Sequence, residues 1–145
     1  MGKFNFKFET IARIKETLKK KIQRDIALVD SKILKIIDNI NSLKSGFEKE
    51  KKYYFGKHSK VNEIQSLERH EIFVKKKIIF FENEIKKLKG IRIQKIDELV
   101  SLSKGEKILE TLKEKHLEKF NYEERKTEGK LFDELALRKS ARGLK

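Results

Sequence analysis

The 145-residue sequence contains no proline, no cysteine and no tryptophan. A proline inside a helix removes a backbone hydrogen bond and clashes with the preceding turn, so its absence permits very long helices. Without cysteine, neither a disulfide framework nor a thiolate metal site can form. No apolar run approaches the roughly 20 residues that span a bilayer. Residues 1–8 lack the apolar segment of a signal peptide, and we therefore expect a cytoplasmic location.

Charged residues outnumber hydrophobic residues in this chain. Charged residues make up 41% of it and hydrophobic residues 37%, and 37 basic against 23 acidic residues give a formal net charge of +14. Such a chain is attracted to nucleic acid, acidic membranes or acidic protein surfaces. The lysine runs at 19–21, 49–52 and 75–77 fan around a helix axis instead of forming one stripe. We interpret these runs as solvated helix faces.

Apolar residues recur at steps of three and four through the first half of the chain. Between Val29 and Phe47 the steps alternate strictly, which is the a/d pattern of a coiled coil. Three consecutive steps of four between Ile14 and Ile26 predict a stutter in the supercoil. The predicted inward residues of this half are Phe4, Phe8, Ile11, Ile14, Leu18, Ile22, Ile26, Val29, Ile33, Ile36, Ile40, Leu43 and Phe47.

The pattern stops at Gly56 and resumes after Ser59, which predicts a turn between two helices. The second series comprises Ile64, Leu67, Val74, Ile78, Phe81, Ile85 and Leu88, then Ile96, Leu99, Leu102, Leu109 and Leu112. We predict one all-α domain over residues 1–145, a long two-stranded antiparallel coiled-coil hairpin with a protruding C-terminal helix. Helix 1 would cover about 4–55, the tip about 56–60 and helix 2 about 61–141, with Gly90 and Gly105 tolerated inside helix 2.

A turn centred on residue 58 pairs positions whose numbers add to about 116. Ile33 would then face Phe81 and Ile85. Leu18 would face Leu99, and Phe4 would face Leu112. Residues after about 115 would have no partner on the first helix.

The sequence carries no signature of an active site. His58, His70 and His116 are far apart, and no glycine-rich phosphate loop occurs. We predict no catalytic, metal or cofactor site. Surplus apolar residues instead stand at Tyr53, Tyr54 and Phe55 and at Ile79 and Phe80, where they either pack locally or mark contact patches.

Three stretches of the chain are similar to one protein family. The C-terminal stretch contains Arg125, Glu128, Lys130, Leu131, Phe132, Asp133, Glu134, Ala136 and Arg138. It matches a pattern of a basic residue, a glutamate, and a hydrophobic residue before Asp-Glu-x-Ala, with Phe132 where a single leucine is more usual. Residues 106–115 and the N-terminal Phe4, Phe6, Phe8 and Ile11 add to the likeness. In these stretches, in size and in layout, the chain resembles the flagellar export protein FliJ.

The resemblance implies a coiled coil like the central stalk of rotary ATPases, without catalytic activity. The open end would insert into the hexameric flagellar export ATPase, and the protein would link that ring to the transmembrane export gate and handle export chaperones. The predicted ATPase-binding residues are Phe4, Phe6, Phe8, Arg125, Lys130, Leu131, Phe132, Leu135 and Arg138. The predicted gate-binding residues are Phe47, Tyr53, Tyr54, Phe55, Ile64, Leu67, Ile79 and Phe80. We expect a monomer at the inner membrane beneath the flagellar basal body, without nucleic acid or membrane insertion.

Two other functions remain open at this point. One is the equivalent stalk of a virulence type III secretion system. The other is a basic coiled-coil protein that binds nucleic acid, which would show salt-sensitive DNA affinity.

Overall fold

The chain folds into two long helices. The structure is a computed structural model that describes residues 2–55 and 60–143. Helix α1 covers Glu9–Phe55 and helix α2 covers Val61–Gly143, with 47 and 83 residues respectively. The described residues contain no strand. The all-α antiparallel coiled-coil hairpin is thereby confirmed, whereas residues 56–59 of the predicted tip lie outside the described residues.

Helix α2 begins at a defined carbonyl group. The carbonyl of Lys60 accepts the backbone N–H groups of Glu63 and Ile64, at 3.0 and 3.2 Å. Lys60 therefore occupies the N-cap position, the residue that accepts the first helical hydrogen bond. Glu63 lies in the first turn of α2 and Arg142 in its last turn, where their charges complement the helix dipole.

The chain divides into two compact units. Lys20–Val100 forms the central unit, and Met1–Lys19 with Ser101–Lys145 forms the terminal unit. Each unit contains a segment of both helices, and the two segments are antiparallel within it. The single domain over residues 1–145 stays a prediction.

The central unit holds most of the buried apolar side chains. Ile22, Val29, Ile33 and Ile40 of α1 and Leu67 and Val74 of α2 are buried. They occupy the three- and four-residue spacing identified in the sequence, so the predicted seam is confirmed here. No described side chain falls below 2% exposure. Such a core consists of one line of contacts between two helices.

The pairing of the helices differs from the prediction. In the central unit Asp30 Oδ1 accepts from Arg92 Nε at 2.6 Å, and Asp25 lies 3.6 Å from Lys95 Nζ. These paired numbers add to 122 and 120, not to 116. Ile33 shares a shallow cleft with Lys89, Arg92 and Ile93, so its predicted position opposite Phe81 and Ile85 is wrong.

The shift has a simple geometric cause. The predicted sum of 116 assumes that the end of α1 and the start of α2 lie at the same level along their common axis. Here residue 55 lies level with about residue 66, since each helical residue advances about 1.5 Å. The first turn of α2 therefore extends beyond the end of α1, and Val61, Asn62 and Glu63 are exposed.

The terminal unit uses other inward residues than those predicted. Ala12, Lys15 and Lys19 face α2 and are partly buried, whereas Ile11, Ile14 and Leu18 are exposed. Lys19 Nζ binds Glu106 at 3.1 Å, and Glu9 lies 3.4 Å from Lys113 Nζ. The predicted inward positions of Ile11, Ile14 and Leu18 are therefore wrong, since the side of α1 that faces α2 carries Ala12, Lys15 and Lys19 here. The pairing of Leu18 with Leu99 joins the two units and stays a prediction.

Residues 2–8 are not helical, so the predicted start of helix 1 at about Phe4 is wrong. The carbonyl of Phe6 accepts the amide of Glu9 at 3.2 Å, which forms a turn, and that of Phe8 accepts the amide of Ala12 at 3.0 Å. Phe4, Phe6 and Phe8 alternate, a spacing that fits extended chain better than a helix.

This extended segment packs along α2. The Phe4 ring lies 5.6 Å from Phe120, and the Phe6 ring lies 5.7 Å from His116. The predicted position of Phe4 opposite Leu112 is therefore wrong. An extended chain advances about 3.3 Å per residue, roughly twice the rise of a helix. Seven residues thus cover α2 as far as the cleft that Gly2 shares with Glu128 and Leu131. After residue 115, α2 therefore packs against the extended segment that precedes α1, which agrees with the prediction that this part has no partner on the first helix.

Candidate protein-binding surfaces

The last fifteen described residues of α2 form the most exposed helical segment of the terminal unit. Every residue from 129 to 143 is exposed. We call this segment the overhang. An isolated helix of this length is marginal in water, but here the unfavourable nucleation step has already occurred in the packed part of α2. The overhang can therefore stay helical without a partner.

The apolar residues of the overhang continue the packed side of α2. Phe120, Glu124 and Glu128 are partly buried, and the next steps of three and four reach Leu131 and Leu135. Leu131, Phe132 and Leu135 are more than half exposed. Each such side chain gains roughly 1.5–3 kcal/mol on full burial. The overhang thus presents an apolar surface that a second protein can cover.

Positive charge surrounds this apolar surface. Lys130, Arg138, Lys139 and Arg142 outnumber Asp133 and Glu134 between residues 129 and 143, and all six are exposed. Arg125 lies just before the overhang, where its Nε donates to the carbonyl of Asn121 at 3.4 Å. The surface is complementary to an acidic partner.

The predicted N-terminal contact residues are already used within the protein. Phe6 is only 8% exposed, and its ring contacts both Phe8 and His116. Phe4 and Phe8 are partly buried. These rings hold the extended segment against α2, so a direct contact of Phe6 with a partner would require that segment to leave its place.

The residues before the turn give the central unit an aromatic end. Tyr53 and Phe55 are about 60% exposed, and the rings of Tyr53 and Tyr54 meet edge to face at 5.3 Å. His70 Nδ1 lies 2.6 Å from Glu50 Oε2, at an angle unsuited to a hydrogen bond. The His70 ring also contacts Phe47, at 5.9 Å. This cluster joins the two helices close to the exposed aromatic rings.

The other predicted gate-binding residues do not form one surface. Leu67 is 5% exposed and belongs to the core, while Ile64 and Phe47 are partly buried. Ile79 and Phe80 are exposed, but they lie about 18 Å further along α2 than Leu67, at 1.5 Å per residue. The structure brings Tyr53, Tyr54 and Phe55 together and leaves Ile79 and Phe80 apart from them.

One exposed apolar surface was not identified from the sequence. Ile11, Ile14 and Leu18 form a stripe on α1 in the terminal unit, and they were predicted to face inward. The signal that could have shown this is the competing series Phe8, Ala12, Lys15 and Lys19, which alternates by four and three without a break.

The described residues contain no cluster of His, Cys, Asp and Glu that could hold a metal ion. Among them, no helix combines the length and the apolar character needed to cross a membrane. What the described surfaces offer is exposed apolar and charged area on helices, and such area binds macromolecules.

The fold and these surfaces define the class of the molecule, an antiparallel coiled-coil protein with exposed apolar surfaces. The family model of the flagellar FliJ protein matches residues 4–145. The chain therefore belongs to the FliJ family and is a protein of flagellar export. Comparison with curated proteins and with solved structures finds no match. The resemblance noted in the sequence is confirmed.

Proposed function

We propose that this protein is a non-catalytic stalk that couples the hexameric flagellar export ATPase to the transmembrane export gate. The proposal rests on the overhang, whose apolar side chains Leu131, Phe132 and Leu135 are more than half exposed among the described residues. Family membership supports the setting, since FliJ proteins belong to flagellar export. In this proposal the protein acts in the cytoplasm at the inner membrane, and it also binds export chaperones.

The overhang is the ATPase-binding element in this proposal. A single helix is slim enough to enter the central hole of a hexameric ring. Leu131, Phe132 and Leu135 make the apolar contact, while Lys130 and Arg138 meet acidic groups of the ring, with Arg125 at the base. Phe4, Phe6 and Phe8 act indirectly, because they hold the extended segment on the part of α2 that precedes the overhang.

The aromatic end of the central unit is the gate-binding element. Tyr53, Tyr54 and Phe55 supply the contact surface, and Phe47, Ile64 and Leu67 support it from the seam. Aromatic side chains offer large contact area with few rotatable bonds, which suits them to protein interfaces.

The test replaces the apolar surface of the overhang while keeping its length. In the triple variant Leu131→Ser, Phe132→Ser and Leu135→Ser, binding to the purified export ATPase hexamer should weaken on the order of 1,000-fold, since about 1.5 kcal/mol is lost for each of the three side chains. The matched control carries Leu28→Ser, Leu34→Ser and Ile93→Ser, three exposed apolar residues of the central unit. The control should bind normally, and circular dichroism should show equal helix content.

A second arm addresses the gate. Alanine at Tyr53, Tyr54 and Phe55 should reduce binding to the purified gate protein and leave ATPase binding intact. An overhang variant with normal ATPase affinity refutes the assignment of this end. Unchanged gate binding by the aromatic variant refutes the assignment of the other end.

A further inference from the structure

One side of α2 in the central unit combines apolar and basic residues without carboxylates. It runs from Arg69 to Gln94 and points away from α1, opposite the buried Val74. We call it the outer face. At 1.5 Å per residue it is about 38 Å long. Because α1 packs on the opposite side, no described residue of α1 covers this face.

The apolar part of the outer face is large. Ile72, Phe73, Ile79 and Phe80 are each between 55 and 58% exposed. Ile72 and Ile79 are one heptad apart, as are Phe73 and Phe80, so the two pairs lie on the same side of α2, two turns or about 10.5 Å apart. Exposed apolar residues grouped on one side of a helix mark a binding surface more often than scattered single residues do.

The charged part of the outer face has one sign. Arg69, Lys76, Lys86 and Lys87 belong to it by helical position, and all four are exposed. The carboxylates of this stretch, Glu71, Glu82 and Glu84, lie at its sides toward α1. Glu71 pairs with Lys75 at 3.1 Å, and Glu84 lies 3.7 Å from Lys87 Nζ. A ligand on this face therefore meets positive charge and apolar side chains.

We propose that the outer face docks on an anionic lipid bilayer. Helices that lie in the membrane interface combine aromatic and aliphatic side chains with lysine and arginine, and they need no spanning segment. Lysine stems can extend along the apolar layer while their ammonium groups reach lipid phosphates. The face is the convex side of one helix and forms no groove, a shape that fits a bilayer surface better than a folded protein.

The inference needs neither the ATPase nor the gate, so it stands apart from the function proposed above. It assigns Ile79 and Phe80 to lipid instead of to the gate. Docking along α2 would hold the protein at the membrane through residues that leave the overhang and the aromatic end free.

The first experiment measures flotation of the full chain with vesicles of phosphatidylcholine alone or mixed with phosphatidylglycerol. Each lysine near an anionic surface strengthens binding about fivefold. The triple variant Lys76→Gln, Lys86→Gln and Lys87→Gln should therefore bind the anionic vesicles roughly 100-fold more weakly. The matched control, Lys32→Gln, Lys35→Gln and Lys44→Gln, removes the same charge from exposed positions of α1 in the same unit.

The control should lose much less affinity than the outer-face variant. Equal losses in the two variants would show general charge attraction and overturn the proposal. Failure of the wild-type protein to float with anionic vesicles would also overturn the proposal. An outer-face variant that floats as well as wild type would overturn it too, and this result is expected if the face binds an acidic protein instead of lipid.

The second experiment uses the absence of tryptophan from the chain. Phe80→Trp places a single fluorescent reporter on the outer face, and Leu34→Trp places one on α1, at 62% exposure. With anionic vesicles the emission at residue 80 should shift to shorter wavelength and be quenched by brominated lipid, while residue 34 stays unchanged. A shift at both positions, or at neither, contradicts the proposed orientation.

Discussion

Alanine substitution of two glycines in α2 tests the packing of the terminal unit. Gly90 and Gly105 both lie inside α2, and no described glycine has a positive φ. A Cβ atom at Gly90 would meet nothing within 4 Å. A Cβ atom at Gly105 would lie 2.5 Å from Nζ of Lys15, on the facing helix. The same substitution therefore has different consequences at the two positions.

The expected magnitudes follow from helix propensity and from that one contact. Replacing glycine by alanine in a helix interior stabilises by about 1 kcal/mol. Gly90→Ala should raise the free energy of unfolding by this amount. Gly105→Ala should gain clearly less, because the Lys15 ammonium group must move away. The lysine end is flexible, so the substitution should not unfold the unit.

The assay is urea unfolding followed by far-ultraviolet circular dichroism. Gly46→Ala serves as the control in α1, since a Cβ atom there also meets nothing within 4 Å. The decisive measurement repeats Gly105→Ala in a Lys15→Ala background. There the full gain of about 1 kcal/mol should return, which corresponds to roughly 2–4 °C in the thermal midpoint.

The result that refutes the reasoning is an absence of coupling. If Gly105→Ala gains the same free energy with Lys15 as without it, then Lys15 does not lie over Gly105 in solution. The inward position of Lys15, and with it the facing side of α1 in the terminal unit, would then be wrong.

Two further predictions concern the central unit. Leu67→Ala should lower the free energy of unfolding by about 2–5 kcal/mol, because Leu67 is buried. Leu34→Ala, at an exposed site, should change that free energy little. Equal effects of the two substitutions in urea unfolding would show that α2 does not pack through Leu67. The chain has no cysteine, so cysteines can be introduced in pairs without background reaction. The pair Ile33→Cys and Lys89→Cys should be crosslinked within one molecule by a short bis-maleimide. The pair Ile33→Cys and Phe81→Cys should react more slowly, because residue 81 lies about 12 Å from residue 89 along α2. Crosslinks formed only between molecules, detected by gel electrophoresis, would instead indicate a parallel dimer.

The outward surfaces could be predicted only in part. Tyr53 and Phe55 were identified because three aromatic residues precede a pattern break, and both are exposed. Leu131 and Phe132 were identified because the first helix was too short to cover them. Leu67 and Phe6 were predicted as contact residues too, yet both are buried. Periodicity gives the side of a helix that carries a residue, but exposure also depends on what lies opposite.

The sequence by itself determined the helices and the seam of the central unit. Helical hydrogen bonds are local, so the absence of proline and the spacing from Val29 to Phe47 were sufficient to predict α1 and its buried side. The same local patterns carried the family resemblance, because residues 106–115 and the C-terminal stretch can be recognised without knowing their neighbours.

Only the tertiary structure decided how the helices are paired and what covers α2 before the overhang. The axial offset depends on pairs far apart in sequence, such as Asp30 with Arg92, and moving one helix by a turn would keep every local pattern intact. The course of residues 2–8 likewise depends on His116 and Phe120, which hold Phe6 and Phe4 in an extended segment. These contacts span more than 60 residues of sequence in every case, beyond the range of helical periodicity.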